Sequence, residues 1–218
     1  MTPVEAVLRL IAAAAIGYGL GSLPSGVIIG RIFGNIDPRS QGSGKTGATN
    51  VLRALGPGPA ALVVVLDVGK GVVAVLVARY IIMPAGHGIS ADMQGWAEAV
   101  GGMAALLGHN YSMFIKFTGG RGVATGGGVI LAMMPLVLLI ALILLVGMIA
   151  LTRYVSLGSI TAAATAAVAD WIAVASGHDI IPHAVFMTIG GAFVILAHHD
   201  NIQRLLHGTE RKFGQKRV

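Results

Sequence analysis

The sequence predicts an all-α polytopic membrane protein, a seven-helix transmembrane bundle with its N-terminus outside and its C-terminus in the cytoplasm. Three observations support this fold class: the composition, the spacing of apolar segments and the distribution of basic residues. Of the 218 residues, 55% are hydrophobic and only 11% are charged, whereas soluble domains carry about 25% charged residues. Most of the chain is therefore expected inside the bilayer, as a single integral-membrane domain over residues 1–218.

The apolar segments are interpreted as individual membrane spans. An α-helix needs about 20 residues to cross the hydrocarbon, and the segment 122–134 is shorter than that. Because proline cannot continue the helix that precedes it, we place a break at Pro135 instead of one long helix over 122–152. The predicted spans are 4–30, 58–83, 95–113, 122–134, 135–152, 157–176 and 181–197.

The basic residues indicate the orientation of these spans. With the N-terminus outside, all but three of the 15 Lys and Arg residues fall on the inner side, where Lys and Arg are enriched in membrane proteins. The three exceptions, Arg9, Lys70 and Arg79, lie within or at the ends of helices. This distribution places the N-terminus outside and the C-terminus inside.

Two shorter segments have simple interpretations. The first 20 residues contain Glu5 and Arg9 and lack a basic leader, so they are expected to form the first membrane helix and not a cleaved signal peptide. The segment 47–56 is too short to cross and too polar for lipid. We predict a brief helix at the inner interface, ended by the breakers Gly56-Pro57-Gly58.

The composition also excludes several kinds of chemistry. The chain contains no cysteine, which removes disulfides, thiolate metal sites and thiol nucleophiles. Its seven histidines never form an HExxH-like pair, so no metal site is expected. No cofactor and no nucleic-acid partner are predicted.

Three stretches that mix glycine with hydroxyl, amide and basic side chains fall on the predicted cytoplasmic side. Glycines allow several backbone N–H groups to approach one anion, and a helix N-terminus adds positive potential. We therefore predict that these stretches bind phosphate. The first stretch is 42–53, GSGKTGATNVLR, the second is 108–125, GHNYSMFIKFTGGRGVAT, and the third is 198–210, HHDNIQRLLHGTE.

Simpler explanations apply to some of these residues. Small residues in membrane proteins often serve only close helix packing, and arginines at cytoplasmic helix ends often only set the topology. We favour the topological explanation for Arg31 and Arg204. For Arg53 and Arg121, which are flanked by glycines and hydrogen-bonding side chains, we favour phosphate binding, because a guanidinium can bind phosphate oxygens through two parallel hydrogen bonds.

Two other polar positions lie near the stretches. The i,i+3 spacing of Asp67 and Lys70 on a membrane helix predicts that the two charges neutralise each other, in support of the first stretch. His109 either orients the second stretch or satisfies a backbone carbonyl.

The sequence GSGKT resembles the end of a nucleotide-binding P-loop. The Walker A pattern GxxxxGK[ST] would place Gly44-Lys45-Thr46 five residues after a glycine at position 39, where this chain has Arg39. A P-loop also follows a buried strand of an α/β sheet, and no strand of that kind is predicted. We therefore reject an ATP-binding function.

Six segments, in order, resemble the bacterial acyl-phosphate:glycerol-3-phosphate acyltransferase family, and the resemblance covers nearly the whole chain. It implies a seven-helix bundle in the bacterial cytoplasmic (inner) membrane, with an active site that faces the cytoplasm. The segments are GSLPSG at 21–26, the first stretch, DVGKG at 67–71, the second stretch, RYVSLGS at 153–159, and the third stretch.

The resemblance implies transfer of a fatty acyl group from acyl phosphate to the 1-hydroxyl of sn-glycerol 3-phosphate. The products would be 1-acyl-glycerol 3-phosphate (lysophosphatidic acid) and phosphate, in the first step of phospholipid synthesis. The implied partners are these two substrates, membrane lipids and the soluble enzyme that supplies acyl phosphate. The alternative is a membrane protein that binds or transports an anionic lipid or phosphate compound.

The resemblance also assigns roles to individual residues. The implied catalytic residues are Ser43, Arg53, Arg121 and His198. Ser159 is a further candidate beside Ser156. The implied substrate-binding residues are Gly42, Lys45, Thr49, Asn50, Gly119, Gly120, Gly122, Ser156 and Asn201.

Two positions depart from the family pattern, in which position 45 is usually Asn and position 121 usually Lys. The exchange at Arg121 is not conservative, because arginine is a planar fork and lysine a compact point charge. Either Arg121 still binds phosphate, or Lys45 has taken over part of that role.

The residue types favour direct acyl transfer without an acyl-enzyme. No Ser–His–Asp set can be specified, and acyl phosphate is already activated. The acceptor proton could pass to the donor's own phosphate, which we favour, or to His198. A match to the HxxxxD dyad pattern of some acyltransferases, from His87 to Asp92, lies in the predicted outer loop and is interpreted as chance.

Overall fold

A computed structural model describes residues 1–86 and 88–215, and the regular elements in these ranges are helices. This confirms the all-α prediction. His87, which begins the HxxxxD match, and the basic residues Lys216 and Arg217 lie outside the described residues. The chain divides into two compact units, Met1–Met133 and Met134–Val218. The prediction of a single domain stays a prediction.

The first unit contains six α-helices and three short turns of other helical types among its described residues. The turns are a 3₁₀ turn at Pro38–Ser40, a π-helical segment at Ala78–Ile82 and a 3₁₀ turn at Met113–Ile115. The α-helices are α1 (Pro3–Gly21), α2 (Ser25–Gly34), α3 (Ala48–Leu55), α4 (Pro57–Val77), α5 (Ala91–Asn110) and α6 (Val123–Met133).

The second unit contains four α-helices in its described part. Pro135 occupies the first position of α7, where proline is tolerated, and the predicted helix break before it is confirmed. The helices are α7 (Pro135–Thr152), α8 (Val155–Ala175), α9 (Ile181–Leu196) and α10 (His199–Leu206).

The helix boundaries follow from local sequence signals. Thr2 and Glu5 form a reciprocal capping box at the start of α1, which satisfies two backbone N–H groups of the first turn. The predicted brief helix over 47–56 is confirmed as α3. It ends at Gly56, whose φ of +86° favours glycine, and Pro57 then begins α4.

The lengths and apolar character of the helices are those of a polytopic membrane protein with four or five candidate spans in the described ranges. The four are Pro3–Gly34, Pro57–Ile82, Pro135–Thr152 and Val155–Ala175. The fifth candidate is the pair α9 and α10, bent by 58°. The predicted count of seven crossings and the orientation stay predictions.

The exposed surface of α7 is apolar, as is typical of a lipid-facing helix. Leu136, Ile143, Val146 and Leu151 are each at least 60% exposed, and such a run of large apolar side chains would be unfavourable in water. The hydrocarbon of a bilayer is the environment that accommodates it.

Glycines bring helices of the first unit into close contact. A Cβ on Gly17 or Gly21 of α1 would collide with the backbone of α5. The same holds between α4 and α6, where Gly71 lies against Thr125 and Gly128 against Val68. These glycines serve packing, as small residues do in membrane helix interfaces, and they hold α5 and α6 where the second stretch connects them.

Candidate active site

The side chain of Asn50 organises the first stretch. Its Nδ2 group lies within hydrogen-bond distance of three backbone carbonyls, those of Pro38 (2.7 Å), Gln41 (3.0 Å) and Lys45 (2.9 Å). Its Oδ1 atom accepts a hydrogen bond from the backbone N–H of Ser43 at 3.2 Å. Asn50 is buried, so this amide holds the loop before α3 in a defined path. A direct substrate contact by Asn50 stays a prediction.

Gly42 and Gly44 are the residues that this loop path requires. Their φ values are +58° and +68°, in the left-handed region that glycine adopts at low cost. A Cβ on Gly42 would also collide with Oδ1 of Asn50. The chain therefore makes a tight turn on both sides of Ser43, the implied catalytic serine.

Arg39, three residues before the first stretch, contacts the second stretch. Its Nη1 group donates to the carbonyl of Ile115 at 3.0 Å and to Oγ1 of Thr118 at 2.8 Å. Asp37 orients the guanidinium through Nη2–Oδ2 and Nε–Oδ1 contacts of 2.6 and 3.0 Å. The Arg39 hydrogen bond holds the pKa of Asp37 below its ordinary value. Sequence reasoning used Arg39 only to reject the P-loop and missed this role, although the Asp37-Pro38-Arg39 spacing was a usable signal.

Glycines of the second stretch lie directly on His109. The backbone N–H of Gly120 donates to the His109 carbonyl at 3.2 Å. A Cβ on Gly119 would collide with that carbonyl oxygen, and a Cβ on Gly120 would collide with Nε2 of the ring. The carbonyl of Gly119 in turn accepts from the N–H of Thr46 at 3.4 Å. The two stretches therefore form one surface in the first unit.

A buried cluster lies beneath this surface, and we call it the Asp67 cluster: Ser25, Asp67, Lys70 and His109. Oδ1 of Asp67 accepts from Oγ of Ser25 at 2.8 Å, and lies 2.9 Å from Nζ of Lys70 and 3.5 Å from Nδ1 of His109. The predicted neutralisation of Asp67 by Lys70 is confirmed. The ring of His109 lies against Gly120 of the second stretch, which favours the first of its two alternatives, and its orienting role stays a prediction.

The predicted phosphate-binding cations keep some access to the surroundings. Arg53 is exposed, and Arg121 and Lys45 are half-buried. Arg53 lies in the last turn of α3. Arg121 lies between Gly120 and Gly122 in the sequence. The φ of Gly122 is +81°.

A second carboxylate-centred cluster lies in the second unit, and we call it the Glu210 cluster: Ser156, Asn201, Arg204 and Glu210. Oε1 of Glu210 accepts from Oγ of Ser156 at 2.7 Å and from Nδ2 of Asn201 at 2.6 Å. Oε2 accepts from Nε of Arg204 at 2.7 Å. One carboxylate therefore positions two of the predicted substrate-binding residues, Ser156 and Asn201.

The environment of Glu210 stabilises its charged form. Burial raises the pKa, but the hydrogen bonds from Asn201, Ser156 and Arg204 outweigh this effect and hold the pKa below its ordinary value. Glu210 was missed as a site residue by sequence reasoning. A usable signal was its position as an acidic residue at the end of a stretch otherwise rich in His and Arg.

His198 is held in one tautomer by the end of α9. Its Nδ1 lies 2.8 Å from the carbonyl of Val194, and because a carbonyl can only accept, Nδ1 carries the proton. In the neutral ring, Nε2 then carries the lone pair that a general base needs. The Oδ1 atom of Asn201 is buried and has no hydrogen-bond partner within the described residues.

The predicted site residues fall into two sets. The first unit holds the residues of the first and second stretches, which meet at Thr46 and Gly119, and the second unit holds Ser156, His198 and Asn201 around α8 and α10. The set in the first unit is Gly42, Ser43, Lys45, Thr49, Asn50, Arg53, Gly119, Gly120, Arg121 and Gly122.

The fold and the set in the first unit define a class of protein: an integral membrane protein with a glycine-rich, cationic surface suited to phosphate. The glycerol-3-phosphate acyltransferase family model matches residues 11–208. The chain belongs to the glycerol-3-phosphate acyltransferase family. The prediction of an acyltransferase enzyme is confirmed, against the alternative of a binding or transport protein.

Relatives and solved structures agree with this membership. The chain is 43% identical to the glycerol-3-phosphate acyltransferase of Synechococcus sp. (strain JA-3-3Ab), with 98% of both chains covered. It is 47% identical to glycerol-3-phosphate acyltransferase 2 of Rhizobium johnstonii, with 92% of this chain and 94% of the relative covered.

Two crystal structures of PlsY (YgiH), an integral membrane glycerol 3-phosphate acyltransferase, are similar over most of the chain. The glycerol 3-phosphate form has a TM-score of 0.80 at 37% identity and covers 96% of both chains. The lysphosphatidic acid form has a TM-score of 0.79 at 35% identity and covers 94% of this chain and 95% of the other.

Proposed function

We propose that this protein transfers a fatty acyl group from acyl phosphate to the 1-hydroxyl of sn-glycerol 3-phosphate. The observation that carries the proposal is the glycine-rich surface of the first unit, where the first and second stretches meet and offer Lys45, Arg53 and Arg121. Both proposed substrates carry a phosphate, and preorganised cations and backbone N–H groups suit phosphate. The donor, the membrane topology and the residue roles below are parts of this proposal.

Lys45, Arg53 and Arg121 would neutralise the two phosphates and stabilise the departing one. Two phosphates brought close together repel each other, so fixed positive charge is needed to bind both. Ser43 and Thr49 would donate hydroxyl hydrogen bonds to the same groups. Lys45 adds a charge that the family pattern lacks, and Arg121 offers a planar fork where the pattern has lysine.

The reaction needs one bond to form and one to break. The 1-hydroxyl oxygen of glycerol 3-phosphate attacks the acyl carbon, the bond from that carbon to the phosphate oxygen breaks, and the hydroxyl proton passes to the phosphate that leaves. Holding both substrates in this geometry supplies much of the acceleration. We favour the donor phosphate as the base, and Nε2 of His198 is the alternative.

The proposed topology has seven crossings, with the N-terminus outside and the C-terminus in the cytoplasm of a bacterial cell. The distribution of Lys and Arg supports this orientation. It would place the three stretches on the cytoplasmic side, where a soluble enzyme can supply acyl phosphate. The products would be lysophosphatidic acid and inorganic phosphate.

Initial rates with purified protein in lipid vesicles test the proposal. Acyl phosphate and glycerol 3-phosphate should yield lysophosphatidic acid and phosphate in equal amounts, and acyl-CoA should not replace acyl phosphate. Ser43→Ala, Arg53→Ala and Arg121→Ala should each reduce the rate by about 100-fold or more, a size typical of lost groups that bind developing charge.

A matched control is Arg31→Ala, because Arg31 is an exposed cation of the first unit that we assign no role in the reaction. It should transfer acyl groups at the wild-type rate. Near-wild-type transfer by the three site variants would contradict the proposed roles. Radiolabelled acyl groups bound covalently to the protein would contradict direct transfer.

A further inference from the structure

Two of the six family-like segments, GSLPSG at 21–26 and DVGKG at 67–71, contribute no residue to the proposed phosphate contacts. Ser25 comes from the first segment, and Asp67 and Lys70 come from the second. In the structure these residues meet His109 in the Asp67 cluster. Charged groups inside a membrane helix are costly to keep, so their presence beneath the second stretch calls for a physical explanation.

The Asp67 carboxylate joins its own helix, α4, to α2 and α5 of the first unit. Its Oδ1 atom accepts a hydrogen bond from Oγ of Ser25 at the start of α2 and pairs with Nζ of Lys70, one turn further along α4. The same atom faces Nδ1 of His109 near the end of α5. The side chains of Asp67, Lys70 and His109 are each no more than 5% exposed. The carboxylate therefore fixes these elements with little screening from solvent.

The ring of His109 has the second stretch on its opposite edge. Nδ1 faces Asp67, while Nε2 lies where a Cβ on Gly120 would have to be. A shift of this ring would therefore move Gly120, and with it Arg121, the next residue. Side chains that act on a site in this way are effective when their own rotamers are locked by packing and hydrogen bonds.

The same cluster also supports the first stretch. Nζ of Lys70 donates to the carbonyl of Leu23 at 3.0 Å, which holds the turn before α2. Gly26, one residue after Ser25, lies against the backbone carbonyl of Thr46. Both phosphate-binding stretches therefore rest on elements that the Asp67 carboxylate holds.

We infer that Asp67 is a positioning residue for the acyltransferase reaction: neutralised by Lys70, it holds the His109 ring against Gly120 and so fixes the phosphate-binding geometry of the second stretch. This inference rests on the proposed function only in assigning phosphate binding to that stretch. It predicts that weakening the cluster raises the KM for a phosphate-bearing substrate more than it lowers kcat. A merely structural ion pair would lower the amount of folded enzyme without changing KM.

Kinetics of Asp67→Asn, His109→Gln and the double variant test the inference. Each single variant should raise the KM for glycerol 3-phosphate or for acyl phosphate by about tenfold, since small displacements of a binding group have effects of this order or larger. Because Asp67 acts on the second stretch through His109, and the contacts to the first stretch are made by Lys70 and backbone atoms, the double variant should have about the KM of His109→Gln alone and not the product of both effects.

Two further variants separate positioning from stability. Asp67→Asn with Lys70→Met removes both charges, which avoids a buried unpaired lysine, and should keep the raised KM while recovering thermal stability. The matched control is Glu98→Gln, which removes the charge of the Arg79–Glu98 pair (2.8 Å). Arg79 lies in the π-helical segment after α4, about three helical turns from Asp67. Glu98→Gln should lower Tm and leave both KM values unchanged.

The inference would be overturned if the KM increases of the two single variants multiplied in the double variant. It would also be overturned if Glu98→Gln changed KM as much as Asp67→Asn does. Calorimetric titration of glycerol 3-phosphate and of inorganic phosphate into the detergent-solubilised protein gives Kd without turnover. A protein that binds these ligands but does not use acyl phosphate would refute the proposed donor and leave the positioning inference testable. Unchanged Kd values in both Asp67→Asn and His109→Gln would refute the inference alone.

Discussion

The two units each contain a cluster built around one carboxylate, and the two clusters differ in burial. In the Asp67 cluster the paired side chains are 3% and 5% exposed. In the Glu210 cluster the carboxylate is 6% exposed but its partner Arg204 is 40% exposed. Breaking a buried pair leaves a charge without compensation, whereas an exposed partner can be solvated again. The Asp67 cluster should therefore contribute more to the free energy of unfolding than the Glu210 cluster, and the contribution of the Glu210 cluster should depend on pH.

The largest expected effect is that of Asp67→Ala. Removing this carboxylate leaves Lys70 buried without its partner and should lower the free energy of unfolding by about 3–5 kcal/mol. Thermal unfolding in detergent micelles measures the change in Tm. A Tm within about 2 °C of wild type would show that the cluster is solvated in the protein, and the comparison between the two units would fail.

Glu210→Gln should have a smaller effect. The amide keeps an acceptor for Ser156 and Asn201 but loses the charge that pairs with Arg204, for an expected cost of about 1–2 kcal/mol. The same unfolding measurement applies, with His207→Gln as a control, since His207 is an exposed residue close to Glu210 in the chain. A loss as large as that of Asp67→Ala would contradict the difference in burial.

The stabilisation provided by the Glu210 cluster should depend on pH. The pKa of Glu210 is lowered from its ordinary value of 4.5, so folding favours the carboxylate. The stabilisation is therefore present above about pH 4.5 and is lost as the pH falls through the folded pKa. The Tm difference between wild type and Glu210→Gln should be full at pH 7 and shrink below about pH 4.5. A difference that stays constant down to pH 3 would exclude this linkage.

The smallest effect on stability is expected for Arg39→Ala. Arg39 and Asp37 are each 28% exposed, and ion pairs of this kind contribute about 0–1 kcal/mol. Because Arg39 joins the first stretch to Ile115 and Thr118, acyl transfer should still fall several-fold. Activity at the wild-type level in Arg39→Ala, with Arg39→Lys measured beside it, would show that the connection between the stretches is dispensable.

Local features were predictable from the sequence where a single helix or turn determines them. The break at Pro135, the brief helix before Gly56 and the pairing of Asp67 with Lys70 depend on residues within a few positions of one another. All three are confirmed. The first and second stretches also meet where the N–H of Thr46 donates to the carbonyl of Gly119, since α3 and α5 both pack against α4.

Contacts between distant segments were not predictable from local patterns. Arg39 reaches residues 115 and 118, and Glu210 reaches Ser156 across 54 positions. Each depends on how helices pack, which a pattern within one segment does not contain. The family resemblance supplied the function, and the structure supplied the contacts of Arg39 in the first unit and of Glu210 in the second.

The most direct test of the central claim is a stoichiometric assay of the purified protein in vesicles with acyl phosphate and glycerol 3-phosphate. We expect one lysophosphatidic acid and one inorganic phosphate for each acyl phosphate consumed, with no acyl group left on the protein and no product from acyl-CoA. Product formed from acyl-CoA alone, or no product from acyl phosphate, would contradict it.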